Sequence, residues 1–405
     1  MNLKKIRADF PLFERKIRGK PVVYFDNACM SLKPQQVINA QNEYYEDFPG
    51  CAGRSAHKIS GEVNDAVYKA RKSVQKILNS KKSEEIIFTR NTSESINLIA
   101  HSLELKKGDI VIQTDKEHNS NLMPWLLKSK AGQIKKIVMK SDKNNEFNLD
   151  SFQEKMSNLK NKVKLISMVH SSNLDGTTIP AKEIIKIAHE NGALVLLDAA
   201  QSTPHKEVNV KKLDVDFLAC SGHKMLGPSG IGALYGKAHL LNKLKPFIVG
   251  GETVSETTYD SYELEPIPEK FEAGLQNYSG MIGFGAACDY LQKIGFRSIQ
   301  KQELKLNKLM TDSLLPEIKE LTLIGPNDPK LRGGIFNFNV KDMDPHQIAI
   351  IMDQSENIMM RSGAHCVHSW FNAHKLNGSA RASMYFYNTE EEVELFCETL
   401  KKILF

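Results

Sequence analysis

The stretches ALVLLDAAQ at 193–201 and VDFLACSGHKMLGP at 215–228 decide the fold. Each is an apolar run of strand length that ends abruptly in polar and glycine residues. A strand buried on both faces, with its carboxyl end at a sheet edge, reads this way. Similar runs recur at 22–25, 85–89, 109–113, 164–169 and 232–235. Helical patterns lie between them, at 62–78, 93–102 and 181–189. Buried strands alternating with helices predict βαβ units around a mainly parallel sheet. A glycine-rich, polar stretch at 250–280 breaks the rhythm, and a long helical region follows at about 278–320. Short strands at 334–339, 358–361 and 380–384 then alternate with helices at 346–352 and 390–402, which predicts a smaller α+β unit folded back onto the sheet. The division expected is an N-terminal segment at 1–20 packing with the small unit, a large domain at 21–285 and a small C-terminal domain at 286–405.

Composition narrows the functional class. A chain of 405 residues suggests more than one core. The formal charge of +6 is spread over many lysines, with no dense basic tract that would point to nucleic acid. No apolar run reaches the ~18 residues of a membrane helix. The start, MNLKKIRADFPLF, has charges but no apolar signal core. Six cysteines (Cys29, Cys51, Cys220, Cys288, Cys366, Cys397) are scattered without a C-x-x-C pair. That pattern fits free thiols in a reducing cytoplasm.

The two opening stretches also carry the chemistry. Asp198 stands at the carboxyl end of its strand, where open α/β sheets bind ligands. Lys224 follows 26 residues later, just past the next strand, between Gly222 and Gly227, which allow close backbone approach. Alone, the first reads as a cap and the second as a surface lysine. Together they match what pyridoxal 5′-phosphate needs: a lysine for a Schiff base and a carboxylate that keeps the pyridine nitrogen protonated. In FTRNTSESINL at 88–98, Thr92 and Ser93 open a helix and suit a phosphate, though plain N-capping explains them as well. Ser221 and His223 are further donors. His118, after the strand at 109–113, suits stacking on the ring and proton transfer, against a solvated loop histidine. Asn173 ends another strand and suits a substrate carboxylate or the phenolic oxygen, for which Gln201 is the second candidate. In RSGAHCVHSW at 361–370, Cys366 lies before an expected helix start and near imidazoles, a setting that favours thiolate. His365, Cys366, His368 and His374 form the rival zinc reading, which lacks structural spacing and a fourth clear ligand. Arg381 suits a bidentate clamp on an amino-acid carboxylate.

Read together, these segments resemble the class V aminotransferase family of fold-type I pyridoxal-phosphate enzymes. Within it they are most similar to the cysteine desulfurase and selenocysteine lyase group of the sulfur-mobilisation (SUF) type. RADFP at 7–11, YFDNA at 24–28, DAAQ at 198–201, SGHKMLGPSGIGALY at 221–235, RSGAHC at 361–366 and RASMYFYNT at 381–389 carry the likeness over essentially the whole chain. The resemblance implies a mainly parallel seven-stranded sheet flanked by helices, plus the small α+β domain. It implies Lys224 as Schiff-base lysine, Asp198 on the pyridinium, Gln201 on the phenolic oxygen and His118 on the ring. Thr92, Ser93, Ser221 and His223 become phosphate contacts; Asn173, Arg381 and Arg361 become substrate contacts. Cys366 becomes the persulfide-forming cysteine. A homodimer with interfacial active sites follows, with Arg54 and His57 of GRSAHK at 53–58 reaching a site across the interface.

Four departures stand out. Leu275 replaces a threonine that would reach the neighbouring phosphate, and Ala364 a frequent histidine. Cys29 and Met30 replace small residues, and Cys51 precedes GRSAH; these departures put two extra thiols near the pocket. The expected reaction is conversion of L-cysteine to L-alanine, with sulfur held on Cys366 and passed to an acceptor protein. L-selenocysteine lyase, C–S lyase, epimerase or aminotransferase chemistry is the alternative among enzymes, and a non-catalytic binding scaffold the alternative outside them.

Overall fold

The computed structural model describes residues 2–53, 55–142 and 144–405. Its centre is a seven-stranded sheet: β1 (Ile86–Thr89), β2 (Ile110–Thr114), β3 (Lys135–Met139), β4 (Val163–Val169), β5 (Leu194–Asp198), β6 (Phe217–Ser221) and β7 (Gly232–Gly236). The spatial order is β1-β7-β6-β5-β4-β2-β3. All neighbours are parallel except those involving β7, which runs antiparallel to both β1 and β6. The expected mainly parallel sheet is thus present. Six strands match the apolar runs to within a residue or so. The seventh, β3, went unread because its KKIVM sequence lies at the sheet edge, where only Met139 is buried. An edge strand tolerates lysines that a central one would not. The run at 22–25 forms a strand elsewhere, Val23–Tyr24, paired in parallel with Ile358–Met359.

Helices cover both faces of the sheet. One core joins the sheet to α1 (Lys58–Leu78) and α4 (Tyr278–Ile294); the other lies under α2 (Thr92–Ser102) and α3 (Asn119–Lys130), around Trp125 and Phe217. Fully burying a side chain such as Phe217 stabilises the fold by about 1.5–3 kcal/mol. The long helical region breaks at Gly295, whose φ of +82° suits glycine, and resumes at Phe296–Leu314.

The C-terminal part builds its own antiparallel sheet from β8 (Leu321–Leu323), β9 (Ile335–Val340), β10 (Arg361–Gly363) and β11 (Ser379–Ser383), in the order β8-β9-β11-β10. Its core gathers Phe336, Phe338, Phe396 and Leu400, and takes in Val23 and Phe25 from the N-terminal stretch. The segment before that stretch bridges the two cores. Phe10 packs on Tyr290 of α4 and on Phe386 and Tyr387. Arg7 pairs with Glu392 at 2.8 Å, and Tyr290 donates to Asp9 at 2.7 Å. Among the described residues, no helix is long and apolar enough to cross a membrane.

Candidate active site

The carboxyl ends of β4, β5 and β6 and the strands of the small sheet enclose a cavity of about 250 Å³. It is lined by Lys224, Asp198, Gln201, Thr92, Ser93, Ser221 and His223 from the sheet side, and by Arg361, Cys366 and Arg381 from the other. His118 and Asn173 complete the wall. These twelve residues, read from the sequence as cofactor, substrate or sulfur sites, therefore meet in one place, and Cys29 and His365 line it with them. His57 does not. It is exposed and caps α1 from the preceding position, accepting the Ser60 N–H on Nδ1 at 3.2 Å. Arg54 lies outside the described residues.

Local geometry explains why Lys224 sits here. β6 turns straight back into antiparallel β7, without a crossover helix, and Lys224 lies in that turn, on the short helical segment Gly222–Lys224. The turn is tight: Gly227 N–H donates to Gly222 O at 2.8 Å, and a Cβ at 227 would come within 3.0 Å of that oxygen. Among the described residues the Lys224 amine has no ion pair or side-chain hydrogen bond. Burial pushes its pKa down, opposed mainly by Asp198, so the neutral, nucleophilic amine is favoured relative to free lysine. Asp198 is 3% exposed. Its side chain accepts one N–H, from Ala200 at 3.0 Å. Burial raises its pKa, with that bond and Lys224 opposing. A carboxyl in this state gains stability from any cationic N–H that a ligand brings to it.

At the start of α2, Thr92 N–H and Oγ1 meet Ser221 Oγ at 2.9 and 2.7 Å, while Asn91 caps the helix. Ser93 and His118 are linked through Ser120, whose hydroxyl lies 2.6 Å from Ser93 Oγ and 3.0 Å from His118 Nδ1. His118 caps α3 by accepting Ser120 N–H on Nδ1. Burial, then the charges of Lys224, Arg361 and Arg381, lower its pKa to about 3. The ring is therefore neutral, with its hydrogen on Nε2. His223 is lowered to about 4 by burial and then Lys224. Gln201 is already engaged, donating to Ala28 O at 2.6 Å.

The opposite wall is more strained. Arg361 and Arg381 are register partners on adjacent strands, and like charges directly opposite cost stability. Arg381 is 1% exposed. It donates to Asn173 O at 2.7 Å and lies 3.5 Å from Asp26. Burial brings its pKa down to about 10 despite Asp26. Its Nε has no partner among the described residues. Beyond β10, His365 and Cys366 are consecutive non-glycine residues with φ of +48° and +59°. Such conformations persist only where surroundings enforce them. Here Asn173 Nδ2 donates to His365 O at 2.7 Å and Asn119 N–H donates to Cys366 O at 2.8 Å. Asn173 thus clamps the cysteine loop, a contact that sequence reasoning did not foresee. Asn119, Ser120 and Asp26 were also missed; the only signal was their adjacency to His118 and to the 22–25 strand.

The imidazoles near Cys366 point in different directions. His365 bonds Ser379, His368 bonds Asn119, and His374 stacks on Trp370. Of the departing residues, Cys29 lines the cavity, whereas Cys51 is exposed and is not part of its wall. Leu275 is 75% exposed beside a separate surface depression.

A family model described as aminotransferase class-V matches residues 23–396. A probable cysteine desulfurase from Synechocystis sp. is 41% identical over 98% of this chain and 94% of its own length. The solved apo structure of cysteine desulfurase from Thermococcus onnurineus NA1 superposes with a TM-score of 0.93 at 38% identity, covering 99% of this chain and 97% of that one. A cysteine desulfurase from Escherichia coli gives a TM-score of 0.90 at 28% identity over 100% of this chain and 98% of that one.

Proposed function

The chain belongs to the aminotransferase class-V family, and we propose that it is a pyridoxal-phosphate-dependent cysteine desulfurase. It converts L-cysteine to L-alanine and holds the sulfur on Cys366 for an acceptor protein. The observation that carries this reading is that Lys224, Asp198 and Cys366 line one cavity. The names of the relatives support the substrate.

The donor set fits the cofactor. Lys224 offers an unpaired amine for its aldehyde. Asp198, short of donors, suits its pyridinium N–H. The start of α2, with Thr92, Ser93, Ser221 and His223, suits its phosphate. His118 would lie against its ring, and Gln201, whose amide already donates once to Ala28 O, would offer its remaining N–H to the phenolic oxygen. When bound, pyridoxal phosphate supplies an electron sink that makes the substrate Cα–H acidic and weakens the Cβ–S bond.

The residues of the chain do the rest. Arg381, with Arg361 beside it, holds the substrate carboxylate in a setting that excludes water. Lys224 Nζ accepts the Cα proton. Cys366 Sγ attacks the substrate sulfur as thiolate; an S–S bond forms as Cβ–S breaks. His118, neutral with its hydrogen on Nε2, is placed to pass protons to the departing three-carbon fragment. Asn173 and Asn119 keep the Cys366 backbone where that attack is possible.

The working form is a cytoplasmic homodimer whose active sites are completed at the interface by Arg54 and His57. Exposed Phe247, Ile248, Val249, Tyr259, Tyr262 and Leu275, all within 247–275, support an apolar contact there. The domain division proposed is a large cofactor-binding part at 21–285 and a small part at 286–405, with 1–20 packed against both; α4 (Tyr278–Ile294) crosses that boundary as one helix on the large core, and Val23 and Phe25 lend side chains to the small one. The test is incubation of the pyridoxal-phosphate-loaded protein with L-cysteine, followed by mass spectrometry. Alanine with one added sulfur on the Cys366 peptide is expected. Another amino-acid product, or alanine without that adduct, would overturn the reading.

A further inference from the structure

Three of the six cysteines are buried and one is exposed on the surface; Cys29 and Cys366 share the cavity. They reach it from opposite ends of the chain. A single guanidinium lies against both. Arg361 donates from one terminal nitrogen to Cys29 Sγ at 2.9 Å, and its other terminal nitrogen lies 4.0 Å from Cys366 Sγ. The two nitrogens are attached to one planar carbon, so the sulfurs face adjacent positions of the same fork. The backbone that carries Cys29 is not free to wander. Ala28 N–H donates to Ser383 Oγ at 2.9 Å, Gln201 holds Ala28 O, and Cys29 N–H donates to Asp26 O at 3.1 Å. Both sulfurs lie near enough to Lys224 to support its charge, behind the larger effects of burial, Asp198 and Arg381.

We propose that Cys29 is a second sulfur carrier, taking the sulfane sulfur from Cys366 along the edge of Arg361 that both sulfurs face. The proposal rests on the reading of Cys366 as the persulfide site. The Cys29 thiolate attacks the terminal sulfur of the Cys366 persulfide. A new S–S bond forms at Cys29, the old one breaks, and Cys366 leaves as thiolate. The proton of the persulfide travels with its sulfur. One thiolate replaces another, so no oxidant or reductant is needed. Cys366 is then ready to attack a second cysteine while the first sulfur waits on Cys29. The pocket thereby stores two sulfurs in place of one before an acceptor arrives.

The test is a rapid-quench experiment on the pyridoxal-phosphate-loaded enzyme with L-cysteine and no added thiol. Alanine is counted per subunit, and persulfides are trapped by alkylation and mapped by mass spectrometry. A burst of about two alanines is expected, with one extra sulfur on each of the Cys29 and Cys366 peptides, falling to about one alanine in Cys29→Ala. Cys366→Ser should carry no sulfur on Cys29. A burst near one with sulfur on Cys366 alone would overturn the relay and leave the desulfurase reading intact. So would a second sulfur stacked on Cys366. Sulfur on Cys29 in Cys366→Ser would mean that Cys29 attacks substrate directly, which also overturns the relay. Absence of alanine altogether would instead remove the desulfurase reading.

Discussion

The two walls of the cavity are built on different principles. The sheet wall places Asp198, Lys224 and Ser221 at or just past the ends of regular buried strands, with ordinary backbone geometry at each. The small-domain wall places Cys366 on a loop where His365 and Cys366 both adopt left-handed backbone, with two arginines opposite each other on the strands beside it. One wall is fixed by the packing of a sheet core. The other holds its cysteine loop by two hydrogen bonds, from Asn173 and Asn119, by the His365–Ser379 bond and by the small apolar cluster around Val367, Trp370 and Phe371. Groups that hold a ligand throughout a reaction are served by the first kind of support. A sulfur that must reach substrate, accept an atom and then release it is served by the second, because less free energy stands in the way of its movement.

The sharpest way to break this comparison is to remove one reactive group from each wall. Lys224→Ala should abolish the visible absorbance of the lysine-linked cofactor and lower turnover by at least about 10⁴-fold. Cys366→Ser should leave that absorbance in place and still lose sulfide release, by at least about 10²-fold. Absorbance spectra and alanine formation measured on the same samples decide both. A Cys366→Ser protein that also loses the absorbance would mean that the two walls are not separable. Full turnover by Lys224→Ala would remove the sheet wall from the chemistry.

The same division explains what was legible in the sequence. Asp198 and Lys224 announce themselves because a buried strand must be apolar until it ends, so the first charged residue marks the edge. Arg361 and Cys366 could be located as a segment, but not their strained φ values, since neither His365 nor Cys366 is the glycine or asparagine that normally signals such a turn. The clamp by Asn173 was invisible for a different reason: it joins residues 192 apart in the chain, and a loop asparagine looks the same whether it caps a turn or crosses a domain boundary. β3 was missed through its exposure, and the antiparallel direction of β7 because an apolar run does not encode its own polarity.

Asn173 offers a finer probe of the second wall. Asn173→Ala retains the backbone oxygen that accepts from Arg381 but removes the donor to His365 O. If the clamp sets the position of Cys366, kcat should fall about 10- to 100-fold with KM nearly unchanged and the cofactor spectrum intact. If Asn173 mainly holds the substrate carboxylate, KM should rise instead. Unchanged kinetics would show that the loop keeps its strained geometry without this bond.

The smallest effect concerns the sheet wall alone and appears in stability. His170 follows β4, is 7% exposed and meets Ser202 Oγ at 2.9 Å. Burial, then the charge of Lys206, lowers its pKa to about 3. The unfolded chain, with an ordinary histidine pKa, takes up this proton first as pH falls. The stability that His170 contributes by staying neutral is therefore complete above about pH 6.5 and declines below it, by about 1.4 kcal/mol per pH unit until the folded pKa is reached. Between pH 7.5 and pH 5.5, wild type should lose about 1.4 kcal/mol more than His170→Gln does, read from urea unfolding midpoints at the two pH values. Comparing the two proteins removes the contribution of other groups, including buried Glu117, which is raised to about 7 by burial and acts with the opposite sign. Parallel losses would mean that water reaches His170 in the folded state, and that the sheet wall is less rigid than its strands suggest.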